Sequence, residues 1–460
     1  MAQINSHMFR EYDIRGVAGE DLTVQGAELI GKAVGTYLKQ RGQSEVIVGR
    51  DCRLSSPEMC KALIAGLNST GCTVKDIGLA SWGFVNYALR QEVGNAVFVS
   101  ASHNPAKYNG FKIVVQRASI NGGEIKKLLK IIETEEFEIS DKAGSGKYSE
   151  LNLLDRYVSF LKGKIKVKRK LKVVIDCGNG MGALVGPRVF KELGCDVTVL
   201  YGDLDGRFPN HPADPSVPEN LVDLIAAVKK HSADFGVAFD GDGDRIGVVD
   251  ENGSIIYCDE LTAIFAKEIL SRKPGSKIVF EVNCSLALAE VIKKHGGIPL
   301  EAPVGHSILE EVLAREKAPL AGEVSGHIFF ADDFYGVDDA VYVALRLLQF
   351  ASNSSGKVSS FLGDYPRYFS SLQFRPFCAD EKKHAIVEAL TKEFKAEEHK
   401  VSTIDGAKVL FEDGWGLVRV SNTGPQLTLR FEGKTESAMQ RIKALFFDKL
   451  KQHGVEVESK

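Results

Sequence analysis

DFGVAFDGDGDR, residues 234 to 245, runs from a continuously apolar stretch into a loop where Asp240, Asp242 and Asp244 alternate with glycine. The first half reads as a strand buried on both faces, since it does not alternate. The second half is its polar tip. The same pairing recurs in AVFVSASHNP (96 to 105) and APLAGEVSGH (318 to 327). Each is preceded by two further strand-like runs with helical stretches between: EVIVGRD (45 to 51) and GCTVKDIG (71 to 78), KVVIDCG (172 to 178) and GCDVTVLYG (194 to 202), KIVFEVN (277 to 283) and GGIPLEAPVG (296 to 305). Strand, helix, strand, helix, strand thus occurs three times. Such alternation predicts mostly parallel sheets covered by helices, with ligands gathering beyond the carboxyl ends of the strands. Equivalent units place Ser102, Asp240 and Glu323 at corresponding strand ends.

From about residue 369 the pattern changes. One helical run near 381 to 395, strands at 416 to 420 and 426 to 431 and a closing helix near 434 to 453 predict a smaller α+β domain with a mainly antiparallel sheet. The boundaries expected are 1–153, 154–256, 257–368 and 369–460. Ser/Gly-rich stretches at 141 to 150 and 351 to 357 read as surface loops near domain edges.

The 460-residue length suits two to four domains. A net charge of -3 without clustered basic excess gives no reason to expect nucleic acid or membrane as a partner. The most basic stretch, KGKIKVKRK (162 to 170), reads as a solvated connection between domains. Eight cysteines without a C-x-x-C pair suit a reducing compartment. No charged-then-apolar leader opens the chain, and no apolar run approaches the about 18 residues of a membrane span, so a cytoplasmic location is expected.

Three carboxylates in one tight loop repel unless a cation holds them, and oxygen ligands suit a hard ion such as magnesium. An aspartate-rich turn without metal is the bland alternative. An EF-hand places Glu251 correctly at its twelfth position but fails at the sixth, where Arg245 replaces the required glycine. Arg245 beside a cation suits a phosphate, or simply balances the aspartates. Ser102, with His103, Asn104 and Lys112 nearby in sequence, can carry a phosphoryl group if a metal is close. A serine hydrolase is disfavoured because no G-x-S-x-G elbow surrounds Ser102. Glu323, Ser325 and His327, with His306 upstream, suit sugar hydroxyls and proton transfer. Alone, His327 beside Ile328 and Phe329 reads as a structural histidine. Arg419, Ser421, Asn422 and Thr423 form a candidate phosphate nest, or a plain hairpin.

In order along the chain, FREYDIRG (9 to 16), SASHNPAKYNGFK (100 to 112), DGDGDR (240 to 245), GEVSGH (322 to 327) and RVSNTGP (419 to 425), with FPNHPADPSVPENL (208 to 221), resemble the α-D-phosphohexomutases of the bacterial phosphomannomutase/phosphoglucomutase branch. The likeness spans essentially the whole chain. It implies three similar mixed-sheet α/β domains plus a C-terminal α+β domain, heart-shaped around a central cleft. It implies an isomerase that converts glucose or mannose 1-phosphate to the 6-phosphate through phosphoserine and a hexose 1,6-bisphosphate. By the same likeness Ser102 carries the phosphate, and Ser102, Asp240, Asp242 and Asp244 hold magnesium. His103, Arg15, Lys112, Arg245 and His327 support the transfer. Tyr12, His306, Glu323, Ser325, Arg419, Ser421, Asn422 and Thr423 bind the phosphosugar. Two departures stand out: Asn283 where relatives commonly have lysine, and GLASWGF (78 to 84) without the usual Thr-Pro pair near Ser81. A glucosamine phosphate mutase is the alternative enzyme, against which Val324 weighs. A non-catalytic sugar-phosphate sensor is the alternative of another class.

Overall fold

The continuously apolar runs become central parallel strands in the computed structural model, which describes residues 4–140, 146–421 and 424–457. Two units are distinguished: Met1–Cys258 with Ser325–Phe361, and Asp259–Val324 with Leu362–Lys460.

The first unit begins with β1 (Ile14–Val17), α1 (Val24–Lys39), β2 (Glu45–Arg50), α2 (Ser56–Ser69), β3 (Thr73–Leu79), α3 (Trp82–Gln91), β4 (Ala96–Val99), β5 (Tyr108–Val115), β6 (Ala118–Ser119), α4 (Gly122–Glu133) and β7 (Tyr148–Glu150). The sheet runs β1-β5-β4-β2-β3-β7, with β6 on β5. Strand β2 is parallel to β3 and β4, whereas β5 returns antiparallel beside β4. That return brings Lys112, opposite Phe98, back to the end of the sheet where Ser102 lies. Helix α4 places Ile125, Leu128, Ile131 and Ile132 on its buried stripe, which joins the core formed with α1 and α2.

A second sheet follows: α5 (Leu154–Lys164), β8 (Lys172–Asp176), α6 (Gly186–Glu192), β9 (Asp196–Leu200), α7 (Val222–His231), β10 (Phe235–Phe239), β11 (Ile246–Asp250) and β12 (Ile255–Ile256), in strand order β12-β11-β10-β8-β9, and α8 (Cys258–Arg272) then opens the second unit. The second unit contains β13 (Lys277–Glu281), α9 (Leu286–Lys294), β14 (Ile298–Ala302), α10 (His306–Glu316) and β15 (Leu320–Gly322), with β13 parallel to both other strands. The triplets β4-β2-β3, β10-β8-β9 and β15-β13-β14 share one topology. Ser102, Asp240 and Glu323 follow the same strand of each, as the repeat predicts. His306, which directly follows the strand-like run 296 to 305, does not extend that strand: β14 ends at Ala302, Gly305 has φ 138°, and His306 opens α10.

The chain returns to the first unit with the antiparallel β16 (Ile328–Phe330) and β17 (Val337–Asp338), then α11 (Ala340–Asn353). The stretch 351 to 357 is therefore not wholly a loop. Ala351 and Ser352 are buried, since the apolar helix continues through them before Ser354 closes it. In the other Ser/Gly-rich stretch, 141–145 lie outside the described residues, while Tyr148–Glu150 form the edge strand on β3.

The last segment has β18 (Phe369–Ser370), α12 (Asp380–Ala396), β19 (Lys400–Ser402), β20 (Ala407–Phe411), β21 (Gly414–Val420), β22 (Leu427–Gly433) and α13 (Glu436–Gln452). Its sheet, β18-β22-β21-β20-β19, is antiparallel throughout. Leu390, Phe394, Ile442 and Phe446 from the helices cover Val409, Val418 and Phe431, so alternate strand residues point to a core on one face. No helix among the described residues is long and apolar enough to cross a membrane.

Candidate active site

Ser102 stands three residues beyond β4 with φ 50°, a left-handed conformation that is costly for a residue with a side chain. The surroundings hold it there. Its N–H donates to Ser100 Oγ at 2.9 Å. Its carbonyl accepts from Arg53 Nη2 at 2.7 Å. Arg53 is fully buried and spends all five guanidinium N–H groups: on Asp51 Oδ2 at 3.1 Å and on the carbonyls of Pro105, Tyr108, Ser102 and Asn104 at 2.8, 3.1, 2.7 and 2.7 Å. Asp51 and Arg53 escaped the sequence reading, although they follow β2, the neighbour of β4, at the same polar strand end.

The β10–β11 hairpin carries the aspartates into the same place. Gly241 packs so closely that a Cβ there would lie 2.4 Å from the Ser102 carbonyl oxygen. Ser102 Oγ–H donates to Asp240 Oδ2 at 2.7 Å. The other oxygen, Oδ1, accepts the backbone N–H groups of Gly243, Asp244 and Arg245 at 2.9, 3.0 and 3.1 Å. Lys112 Nζ donates to Asp242 Oδ2 at 2.7 Å and also to Asp244 Oδ2. Among the described residues Asp242 Oδ1 and Asp244 Oδ1 are buried with no hydrogen-bond partner, although His327 Nδ1 stands 3.7 Å from Asp244 Oδ1.

Charge balance explains this arrangement. Burial, then the Asp244 and Asp242 charges, pushes the Asp240 carboxyl well above its usual range, and burial with Asp244 raises Asp242. Burial also opposes the Asp244 charge, but Lys112, His327 and Arg245 more than offset it and hold that carboxyl well below. Lys112 likewise stays protonated: burial alone would lower its pKa, and Asp242, Asp244 and Asp338 reverse that. Asp240, Asp242 and Asp244 each offer an oxygen within 4.8 Å of the others. Buried carboxylates with unpartnered oxygens fit an oxygen-liganded cation.

His103 Nδ1 lies 3.2 Å from Ser102 Oγ. Burial, with Arg245 and Arg15, holds its pKa well below the ordinary histidine value, so the ring is neutral at pH 7 and has a lone pair for a proton. Arg15 bridges Asp13 Oδ2 at 2.7 Å and Asn104 Oδ1 at 2.9 Å. Arg245 Nε–H donates to His327 Nε2 at 3.0 Å, and His327 Nδ1 lies 2.7 Å from Asp338 Oδ2. The first contact needs an unprotonated Nε2, so the geometry is that of the Nδ1–H tautomer. Burial lowers the His327 pKa, but Asp244 and Asp338 outweigh burial and Arg245 and leave it raised. Protonation therefore competes directly with the Arg245 contact.

Of the other expected residues, Tyr12 is half-buried beside β1 and Ser325 half-buried before β16, both in the first unit. The second unit holds His306, Glu323, Arg419 and Ser421. Glu323 Oε1 accepts the Gly305 N–H at 2.7 Å. Arg419 Nε donates to Asp405 Oδ2 at 2.9 Å. Lys383, absent from the sequence reading, ties α12 to the turn through the Ser421 carbonyl at 2.9 Å. Asn422 and Thr423 lie outside the described residues. Asn283 turns back on buried Glu281, donating to Oε2 from its backbone and side-chain nitrogens, each at 2.6 Å.

Models of the phosphoglucomutase/phosphomannomutase α/β/α domains I, II and III match residues 6–139, 155–253 and 257–368, and the C-terminal domain of that family matches 378–449. A phosphomannomutase/phosphoglucomutase of Pseudomonas putida is 43% identical over 97% of this chain and 96% of its own length. A phosphoglucomutase of Neisseria meningitidis is 40% identical over 97% of each. The crystal structure of a phosphoglucomutase/phosphomannomutase family protein from Burkholderia thailandensis superposes with a TM-score of 0.92 at 40% identity, over 99% of this chain and all of that one. With the four domains in order and relatives matched end to end, this chain belongs to the phosphoglucomutase/phosphomannomutase family of phosphoryl-transferring enzymes.

Proposed function

We propose that the protein is a phosphohexomutase that interconverts hexose 1-phosphate and hexose 6-phosphate on glucose, mannose or both, with Ser102 as the phosphoryl carrier. The observation that carries this reading is Ser102 Oγ held 2.7 Å from Asp240 Oδ2, beside two buried aspartates and Lys112. The 6-hydroxyl of the 1-phosphate attacks phosphoserine: its O–H bond breaks as a sugar O–P bond forms, and the Ser102 Oγ–P bond breaks as Oγ regains a proton. The resulting 1,6-bisphosphate then turns and returns its 1-phosphoryl group to Ser102, leaving the 6-phosphate.

Asp240, Asp242, Asp244 and Ser102 are the proposed ligands of magnesium, which when bound supplies positive charge against the phosphoryl oxygens. During rephosphorylation the Ser102 proton, directed at Asp240 Oδ2 in this structure, moves to neutral His103, 3.2 Å from Oγ. Lys112, Arg245 and Arg15 contribute fixed positive charge, and His327 exchanges protons beside Arg245. Tyr12, His306, Glu323, Ser325, Arg419, Ser421, Asn422 and Thr423 remain the proposed phosphosugar contacts on the strength of family membership. A cytoplasmic location accords with eight free cysteines.

Intact mass and turnover together test the reading. After incubation with a hexose 1,6-bisphosphate and magnesium, wild type should carry one phosphate mass that Ser102→Ala lacks. It should also form 6-phosphate from glucose 1-phosphate or mannose 1-phosphate, with lower kcat/KM on glucosamine 1-phosphate. A chain that is never phosphorylated and turns over none of the three is a sensor instead.

A further inference from the structure

Trp82 lies in the segment that departs from the family pattern, and its contacts converge on the proposed proton-transfer group. Its indole N–H donates to Asp338 Oδ1 at 2.7 Å. The other oxygen of Asp338 lies 2.7 Å from His327 Nδ1, and His327 Nε2 accepts from Arg245 Nε at 3.0 Å. Trp82, Asp338 and His327 are all at least 95% buried. Trp82 is itself fixed. Its backbone N–H donates to the Asp242 carbonyl at 2.9 Å, its ring packs on Phe98, and Lys112 Nζ stands 4.8 Å over the ring. Ser81 caps α3 through the Phe84 N–H at 3.3 Å, which sets the first turn that carries the indole.

We propose that Trp82 is a positioning residue of this enzyme: its indole N–H anchors Asp338, whose other oxygen, 2.7 Å from His327 Nδ1, keeps the imidazole oriented with Nε2 aimed at Arg245. An indole nitrogen only donates, so it selects one carboxylate oxygen and leaves the other for imidazole. Without that donor Asp338 turns about its terminal torsion, and the imidazole loses its orientation. Substituting Asp338 by asparagine has a sharper effect. An amide N–H facing Nδ1 forces the proton onto Nε2, where it opposes the Arg245 N–H. The inference rests on the proposed role of His327, so the experiment includes that residue.

The test measures kcat and KM for hexose 1-phosphate, with melting temperatures, for Trp82→Phe, Trp82→His, Asp338→Asn, the Trp82→Phe/Asp338→Asn double variant and His327→Ala. Trp82→Phe should lower kcat about 10-fold with KM within about twofold, the loss of one donor to a charged acceptor. Trp82→His, which restores an N–H, should recover part of that. Asp338→Asn should lose on the order of 100-fold. The double variant should stay within about twofold of Asp338→Asn, because Trp82 acts only through that carboxylate. Wild-type kcat in folded Trp82→Phe, a loss confined to KM, or multiplying losses in the double variant would overturn the proposal. Should Trp82→Phe not fold, wild-type kcat in Asp338→Asn overturns it equally. An unimpaired His327→Ala sinks the underlying role of His327. An impaired His327→Ala with unimpaired Trp82→Phe sinks the positioning role alone.

Discussion

Arg53 holds the Ser102 loop with four of its guanidinium N–H groups, and Asp51, which takes the fifth, is as deeply buried as itself. Removing its guanidinium leaves a buried carboxylate without its countercharge and four carbonyls without this donor. Arg53→Ala should therefore cost about 3–5 kcal/mol in urea unfolding, and the surviving folded fraction should phosphorylate poorly. Lysine will not substitute, since one ammonium cannot reach carbonyls on both sides of the turn. Ser102 and the three aspartates were legible because their types and spacing carry chemistry. Arg53 was not, because an arginine after a strand looks like any surface cation until a loop about 50 positions later folds over it.

At the scale of the element, the β10–β11 hairpin turns three like charges inward and leaves Asp242 Oδ1 and Asp244 Oδ1 without a hydrogen bond among the described residues. A divalent ion bound there stabilises the folded chain by mass action. At a metal concentration a hundredfold above Kd this contributes about 2.7 kcal/mol. Chelation should accordingly lower Tm, and magnesium should restore it. Asp242→Asn should shrink the difference, because the cation then meets less negative charge. A Tm insensitive to chelator and magnesium would remove the case for a cation in this hairpin. The repeat of strand and helix predicted the place of this hairpin, but not that Asp240 would use Oδ1 to bind its own backbone and keep Oδ2 for Ser102.

Across the whole molecule, net stability is small, about 5–15 kcal/mol for a typical domain, so one strained titration is felt globally. Glu281 is buried, and burial together with the Glu323 charge pushes its pKa from 4.5 up to about 7. The folded state thus holds this proton while the unfolded chain has already released it. Stability from this group falls as pH rises from 4.5 to 7 and levels off above. Glu281→Gln cannot titrate. The unfolding free energy of wild type relative to that variant should increase by about 2–3 kcal/mol from pH 7 to pH 5. A constant difference in urea titrations across that range would contradict it.

The linear order of residues determined the three α/β units, the antiparallel last domain and the polar strand ends, because apolar periodicity and loop chemistry are local properties. It also determined the family, whose signature loops stand in order along the chain. Only the tertiary structure decided which groups share a charge environment. Lys112 meets Asp242 and Asp244, Trp82 meets Asp338, and Asn283 turns onto Glu281. Hydrogen bonds and burial act over a few ångströms in space, and three of these contacts join residues more than a hundred positions apart. Spacing along the chain holds no record of that.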